Sequence, residues 1–169
     1  MFPELDTERL RLRMFQQSDF EAYAAMQADT DVMEFLGDGV PRDRDDAWKH
    51  LATLIGHWHL RGYGFWAVEE KATGDFCGIV GLYNPEAWPE REITWAIIEP
   101  KQRRGFALEA AERAKAYAIQ VLNWRTVSSC IASGNQGSIR LAEKMGASLH
   151  GRLHHERHGE MLIYRHAMP

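Results

Sequence analysis

The stretch Gln102-Arg103-Arg104-Gly105-Phe106-Ala107 joins a run of strand character to a long helix-forming segment. The first amides of a helix are donors without intrahelical acceptors, and they lie at the positive end of the helix dipole. A turn of this kind therefore suits phosphate oxygens. Gly105 lets backbone approach a ligand closely, and Lys101, Arg103 and Arg104 add positive charge beside it. The pattern is neither the nucleotide P-loop nor the three-glycine dinucleotide fingerprint. From this segment alone, a phosphate-binding turn and an ordinary solvated basic turn both stand.

The elements that must position this turn follow from periodicity. Residues 9–14 alternate charged and apolar, as a half-buried strand does. Ser18 and Glu21 have capping-box spacing, which predicts a helix over about 19–28. Asp31 suits the cap of a short second helix through Leu36. Ala47, Leu51, Leu54, Ile55 and Trp58 mark one face of a third, ended by Gly62 and Gly64. Strands are predicted at 65–70, 76–83 and 93–98, with an exposed loop over 84–91. A helix follows from Gly105, then a strand at 125–132 and a helix from Asn135 to Met145, stopped by Gly146. A hairpin over 149–153 and 161–166 closes the chain. The order β-α-α-α-β-β-β-α-β-α-β-β implies an α/β fold with a mixed sheet.

The chain has 169 residues, 45% hydrophobic and 26% charged, which fits one globular domain over 1–169. A net charge of −4 argues against nucleic acid as the main partner. No apolar run approaches the roughly 18 residues of a membrane span, and the first residues do not read as a signal peptide. Cys77 and Cys130 read as buried thiols in a reducing compartment, so a cytoplasmic location is expected. His154, His155 and His158, with His150 nearby, have no Cys close by and fall in the expected hairpin turn, so no metal is expected. His57 and His59 flank Trp58 and are expected in solvent.

Four segments, taken in order, resemble the GNAT superfamily of N-acetyltransferases, and most closely its ribosomal-protein-alanine (RimJ/RimL-type) branch. Thr7 to Arg13 with Ser18-Asp19 is similar to the branch's opening strand and helix, and Gly78 to Asn84 to its third strand. Gln102 to Ala107 matches the superfamily's Gln/Arg-x-x-Gly-x-Gly/Ala. Asn135-x-x-Ser138 with Glu143 to Gly146 resembles the branch's fourth-helix signature. The resemblance implies a V-shaped split between the fourth and fifth predicted strands, 93–98 and 125–132, holding acetyl-CoA. It implies that Gln102, Arg103, Arg104, Gly105, Phe106 and Ala107 hold the pyrophosphate. Trp95 and Ile97 would pair with pantetheine through their backbone, and Asn135 would contact the cofactor arm. Many members carry a tyrosine seven residues after the Asn. Here that position is Ala142, which leaves Ser138 as the candidate acid near the sulfur. Thr94 and Ala147 also depart from the branch, which commonly has Gly and Phe there.

Acetyl transfer needs a neutral amine, a stabilised oxyanion and a proton for the leaving thiolate. A lysine amine is neutral in about 1 in 2,500 molecules at pH 7, a cost of roughly 4.6 kcal/mol, against about 1 kcal/mol for an α-amine. Glu92, at the start of the fourth strand, is the candidate base. Its plainer role is as an acceptor for neighbouring backbone amides. Tyr83, Asn84 and Trp88 are candidate acceptor-side residues, and Glu86 and Glu90 could select a cationic amine. The expected activity is direct attack by a primary amine, of a protein N-terminus or a small molecule, in a ternary complex. The alternative is an acyl-CoA sensor without turnover. A homodimer is possible.

Overall fold

The structure, a computed structural model, describes residues 2–167. One sheet of eight strands runs in the order β1-β2-β3-β4-β5-β6-β8-β7. Its strands are β1 (Leu5–Asp6), β2 (Leu10–Arg13), β3 (Phe65–Glu70), β4 (Phe76–Tyr83), β5 (Glu92–Ile97), β6 (Ser128–Ala132), β7 (Ala147–His155) and β8 (Gly159–His166). Among the described residues, five α-helices accompany it: α1 (Phe20–Ala28), α2 (Thr30–Met33), α3 (Arg44–Arg61), α4 (Phe106–Gln120) and α5 (Gln136–Lys144). The mixed α/β arrangement is as expected from the order of elements. Among the described residues, no helix is long and apolar enough to cross a membrane.

Helices cover both faces of the sheet. On one, Phe106, Ala110, Ala114 and Ala118 of α4 and Ile139 of α5 pack on Val80, Ile93 and Ile97. On the other, Phe20 and Tyr23 of α1 and Ala47, Leu51 and Leu54 of α3 pack on Phe65, Ala67, Ile79 and Ala96. Small residues along α4 bring that helix close to the sheet, and so fix where its N-terminus lies.

Several local expectations are corrected. Strand β1 was not foreseen: two residues carry no readable period, and pairing to β2 makes them a strand. Ser18 and Glu21 do not form the capping box. Gln16 and Asp19 form it instead, around a 3-10 turn over Gln17–Asp19. Asp19 is drawn there because the buried Arg13 guanidinium grips both its oxygens at 2.8 Å. Asp29, not Asp31, caps α2, which ends at Met33 rather than Leu36. The strand predicted at 125–132 begins only at Ser128. His57 is buried rather than solvated: its Nδ1 meets the Tyr63 carbonyl at 2.7 Å, and its Nε2 accepts the Asn84 N–H at 3.2 Å.

Candidate active site

Strand β5 is treated differently on its two edges. Against β4 it is antiparallel and paired along its whole length, from Glu92 opposite Tyr83 to Ile97 opposite Gly78. Against β6 it is parallel and paired only at Glu92 opposite Ser128, after which the strands part. The Ile98 N–H bonds the Cys77 carbonyl. Alternation along an antiparallel ladder then turns Thr94 and Ala96 toward β4, and the backbone groups of Ile93, Trp95 and Ile97 toward the gap. Side chains already use two of those carbonyls. Ser129 Oγ donates to Ile93 O at 2.8 Å, and Gln102 Nε2 donates to Ile97 O at 2.9 Å. The amides of Trp95 and Ile97 face the opening.

Glu92 stands at the apex. Its Oε2 accepts the Cys130 N–H at 2.9 Å, so the carboxylate bridges the strands where they separate. The plainer role expected of Glu92 is thus present. The residue lines a cavity of about 320 Å³. Burial pushes the Glu92 carboxyl up to about 8, against the opposing pull of the Cys130 amide. The Trp88 indole N–H lies on this side too, buried and without a hydrogen-bond partner. Burial, with Glu92 nearby, also holds the Cys130 thiol protonated, and burial raises the Cys77 thiol. Neither is an activated nucleophile.

At the other end lies the turn before α4. Arg103 and Gly105 both have left-handed backbone, with φ of 58° and 82°. Turns of this type gather successive N–H groups into a concavity sized for an anion. Gly105 is the N-cap of α4, and no side chain among the described residues caps that helix. Its first amides are left for another acceptor. Gln102, Arg103 and Ala107 line a second cavity, of about 370 Å³, with Ile97, Asn135 and Ser138. Phe106 contributes backbone only, because its ring is buried in the core.

Arg104 is placed elsewhere than expected. Its guanidinium pairs with Glu70 at 2.5 Å and lies 4.4 Å from the Phe106 ring centroid. Lys101 joins the same carboxylate at 2.6 Å. Together Arg104 and Lys101 hold the Glu70 carboxyl below its usual range. Arg9, Thr7 and Glu109 brace the turn from outside. Arg9 Nη1 donates to Arg104 O at 2.9 Å, and its Nε donates to Glu109 at 2.7 Å. Sequence reasoning missed these braces, because nothing local marks Arg9 or Glu70 as neighbours of residue 104.

Asn135 Oδ1 accepts the Ser138 N–H at 3.0 Å, which makes Asn135 the cap of α5. Ser138 Oγ accepts the Trp95 indole N–H at 3.3 Å, which leaves its own hydroxyl proton free to donate. Ala142 is fully buried. Trp95 touches both cavities, with Phe35, Leu36 and Ala96. The two spaces meet there, at the middle of β5.

Of the three residues expected to face an acceptor, Tyr83 and Trp88 line the smaller cavity, and Asn84 does not. Asn84 braces its loop instead, donating from its backbone to His57 and from Nδ2 to Glu90 O. The two loop carboxylates also turn away. Glu86 is exposed and reaches Arg61, while Glu90 bonds Ser128 and Arg165. The expected acidic selector is absent from this cavity because each carboxylate has a nearer cation or hydroxyl.

The model of the Acetyltransferase (GNAT) domain family matches residues 9–148. The chain belongs to the GNAT acetyltransferase family. It is an acyltransferase. YoaA of Bacillus subtilis (strain 168), named as an uncharacterized N-acetyltransferase, is 28% identical over 152 residues, which are 89% of this chain and 86% of YoaA. The crystal structure of an acetyltransferase from Agrobacterium tumefaciens str. C58 is 30% identical, with a TM-score of 0.88, over 99% of this chain and 96% of that one. RimL, a ribosomal L7/L12 α-N-protein acetyltransferase solved with coenzyme A, has a TM-score of 0.79 at 16% identity over 96% of this chain and 97% of its own, a likeness of fold alone. The GNAT resemblance read from the sequence is thus shown, and the RimL-type branch is not.

Proposed function

We propose that this protein transfers the acetyl group of acetyl-CoA to a primary amine by direct attack in a ternary complex. One observation carries the reading. The parting of β5 and β6 puts an uncapped helix N-terminus at one end of a continuous opening and a buried carboxylate at the other. The residues present fit acetyl-CoA. The amides around Gly105 and the Arg103 side chain suit its diphosphate, and the open backbone edge at Trp95 suits the amide groups of its pantetheine arm, leaving the Ile97 N–H for the thioester. The chemistry that acetyl-CoA supplies is an activated acyl group on a thiol leaving group.

The roles of the chain's own residues follow. The Ile97 amide is placed to take up charge developing on the thioester oxygen. Glu92 removes the amine proton, directly or through one water, with a raised pKa suited to that task near neutrality. Ser138 offers its free hydroxyl proton to the departing sulfur. Asn135 fixes the start of α5 and so the place of Ser138. The RimL-type branch remains the sequence's suggestion for the scaffold. The acceptor is a protein N-terminus or a small-molecule amine.

Thiol release from acetyl-CoA with a panel of amines tests the reading. Amine-dependent release is expected, and acetyl-CoA at roughly 100 times its Kd should stabilise the fold by about 2.7 kcal/mol. Stabilisation without release by any amine would instead point to an acyl-CoA sensor.

A further inference from the structure

Arg42 lies in the acceptor cavity, outside every role assigned above. It is held at three points. Its backbone N–H bonds the Gln27 carbonyl at 2.8 Å, and its Nη1 donates to Gln27 Oε1 at 2.7 Å. Gln27 is itself 2% exposed, so the acceptor half of this clamp is buried while Arg42 is half-buried. Nη2 packs under Gly37, where an added Cβ would stand 2.9 Å away, and Gly37 has φ of 57°. The fork is therefore set before any ligand arrives. Its Nε and Nη2 groups have no hydrogen-bond partner among the described residues.

The charges around this fork leave it uncompensated. Among the described residues, no carboxylate lies within ion-pair distance of Arg42 or of Arg157, the second arginine lining the cavity. Asp38 lies at the exposed rim, with one oxygen turned to the Val40 N–H at 3.3 Å. Solvent screens it there. His50 adds no cation: burial, and then Arg42 itself, push it down to about 4, and its Nδ1 is bonded to the Tyr23 hydroxyl at 2.6 Å. A half-buried, immobilised guanidinium with open N–H groups matches a carboxylate, which it can grip with two parallel hydrogen bonds.

The cavity is also roofed. His158 Nδ1, from the β7–β8 turn, meets the Gly37 carbonyl, joining that turn to the loop that holds Arg42. A space of about 320 Å³ beneath such a roof is at the small end of ligand sites. It suits a small molecule better than a protein chain.

Building on the acetyl-transfer reading above, we infer that the acceptor is a small primary amine carrying a carboxylate, which Arg42 grips while the amine faces Glu92. Free amino acids are the simplest members of this class.

The test measures thiol release at saturating acetyl-CoA with each common L-amino acid, its carboxamide, putrescine, spermidine and a short peptide amidated at its C-terminus. At least one acid should exceed its own amide about 10- to 100-fold in kcat/KM. That order runs against intrinsic reactivity, because the amide's amine loses its proton more easily. Arg42→Met should remove the preference and raise KM for the acid by a similar factor, with KM for acetyl-CoA little changed and the melting temperature lowered, because Gln27 Oε1 loses its donor. Arg42→Lys should restore part of the preference, since it keeps the charge and loses the fork. Amides or polyamines used as well as the acids would overturn the inference and leave acetyl transfer standing, as would an acid preference that survives in Arg42→Met. No release with any amine would overturn acetyl transfer itself, and this inference with it.

Discussion

The two ends of the opening are built from different material. At the donor end the chemistry is backbone: amides around Gly105 and the free edge of β5 at Trp95 and Ile97. At the acceptor end it is side chains, from segments far apart: Arg42, Glu92, Trp88 and His158. A backbone site depends on conformation and tolerates many residues, so the donor end follows from the path of the chain. A side-chain site depends on identity at each position, so the acceptor end belongs to this chain. Damage at the donor end should move the kinetics of acetyl-CoA alone. Damage at the acceptor end should move those of the amine alone.

The largest effect is expected at Glu92, the carboxylate of the acceptor end. Glu92→Gln should lower kcat/KM by about 10²- to 10⁴-fold, the usual range for a general base. Thermal stabilisation by acetyl-CoA should stay unchanged. Wild-type kcat/KM should rise with pH through about 8, where the buried carboxyl loses its proton. Stability should move the opposite way. The folded pKa lies above the ordinary value of 4.5, so the folded form binds the extra proton in that window. The stability contributed is full below about pH 4.5 and is lost as pH climbs to about 8, by roughly 1.4 kcal/mol per unit. Urea melts from pH 4 to 9 check this. Glu92→Gln should flatten that slope. An equal slope in both proteins would place the carboxyl's ionisation elsewhere.

Gly105 breaks the donor end by itself. Gly105→Ala forces a side chain into left-handed backbone and puts its Cβ 3.2 Å from Arg9 Nη2. The strain should cost about 1–2 kcal/mol of stability. KM for acetyl-CoA should rise about tenfold as the amides lose alignment, with KM for the amine unmoved. Matched changes in both KM values would show that the two ends are not separable.

Ser138→Ala comes next in size. It should lower kcat by about tenfold, less than the roughly 10²-fold minimum typical of a positioned acid or base because water can also supply the departing thiolate's proton, with both KM values near wild type. Thiol esters with more acidic leaving groups should suffer less. Full activity would return Ser138 to its visible structural part, as the acceptor of the Trp95 N–H and the first turn of α5.

The same division explains what was legible in the sequence. The Gly105 turn was readable because its parts are contiguous, and α3 was readable from one apolar face and the left-handed Gly62 that ends it. The acceptor wall was not. Gly37 and His158 meet across 121 positions, and no local pattern announces such a pairing. Glu86 and Glu90 read as an acidic selector because an exposed loop shows its charges but hides its partners. Arg61 and Arg165, remote in sequence, take them. His57 misled for a related reason: it lies off the apolar stripe of α3, yet it is buried with both nitrogens satisfied, by the Tyr63 carbonyl just before β3 and the Asn84 amide just after β4.

The smallest effect separates two neighbours that the sequence treats alike. Arg103 lines the donor cavity, whereas Arg104 is committed to Glu70 and to the face of Phe106. Arg103→Ala should raise KM for acetyl-CoA a few-fold, as loss of one partly solvated phosphate contact does, and the increase should shrink at high salt. Arg104→Ala should leave that KM nearly unchanged and lower the melting temperature slightly, because Lys101 still serves Glu70. KM for acetyl-CoA measured at two ionic strengths decides between them. A larger rise for Arg104→Ala than for Arg103→Ala would mean that Glu70 acts on the diphosphate through Arg104. The donor end would then depend on side-chain identity after all, and the contrast between the two ends would narrow to one of degree.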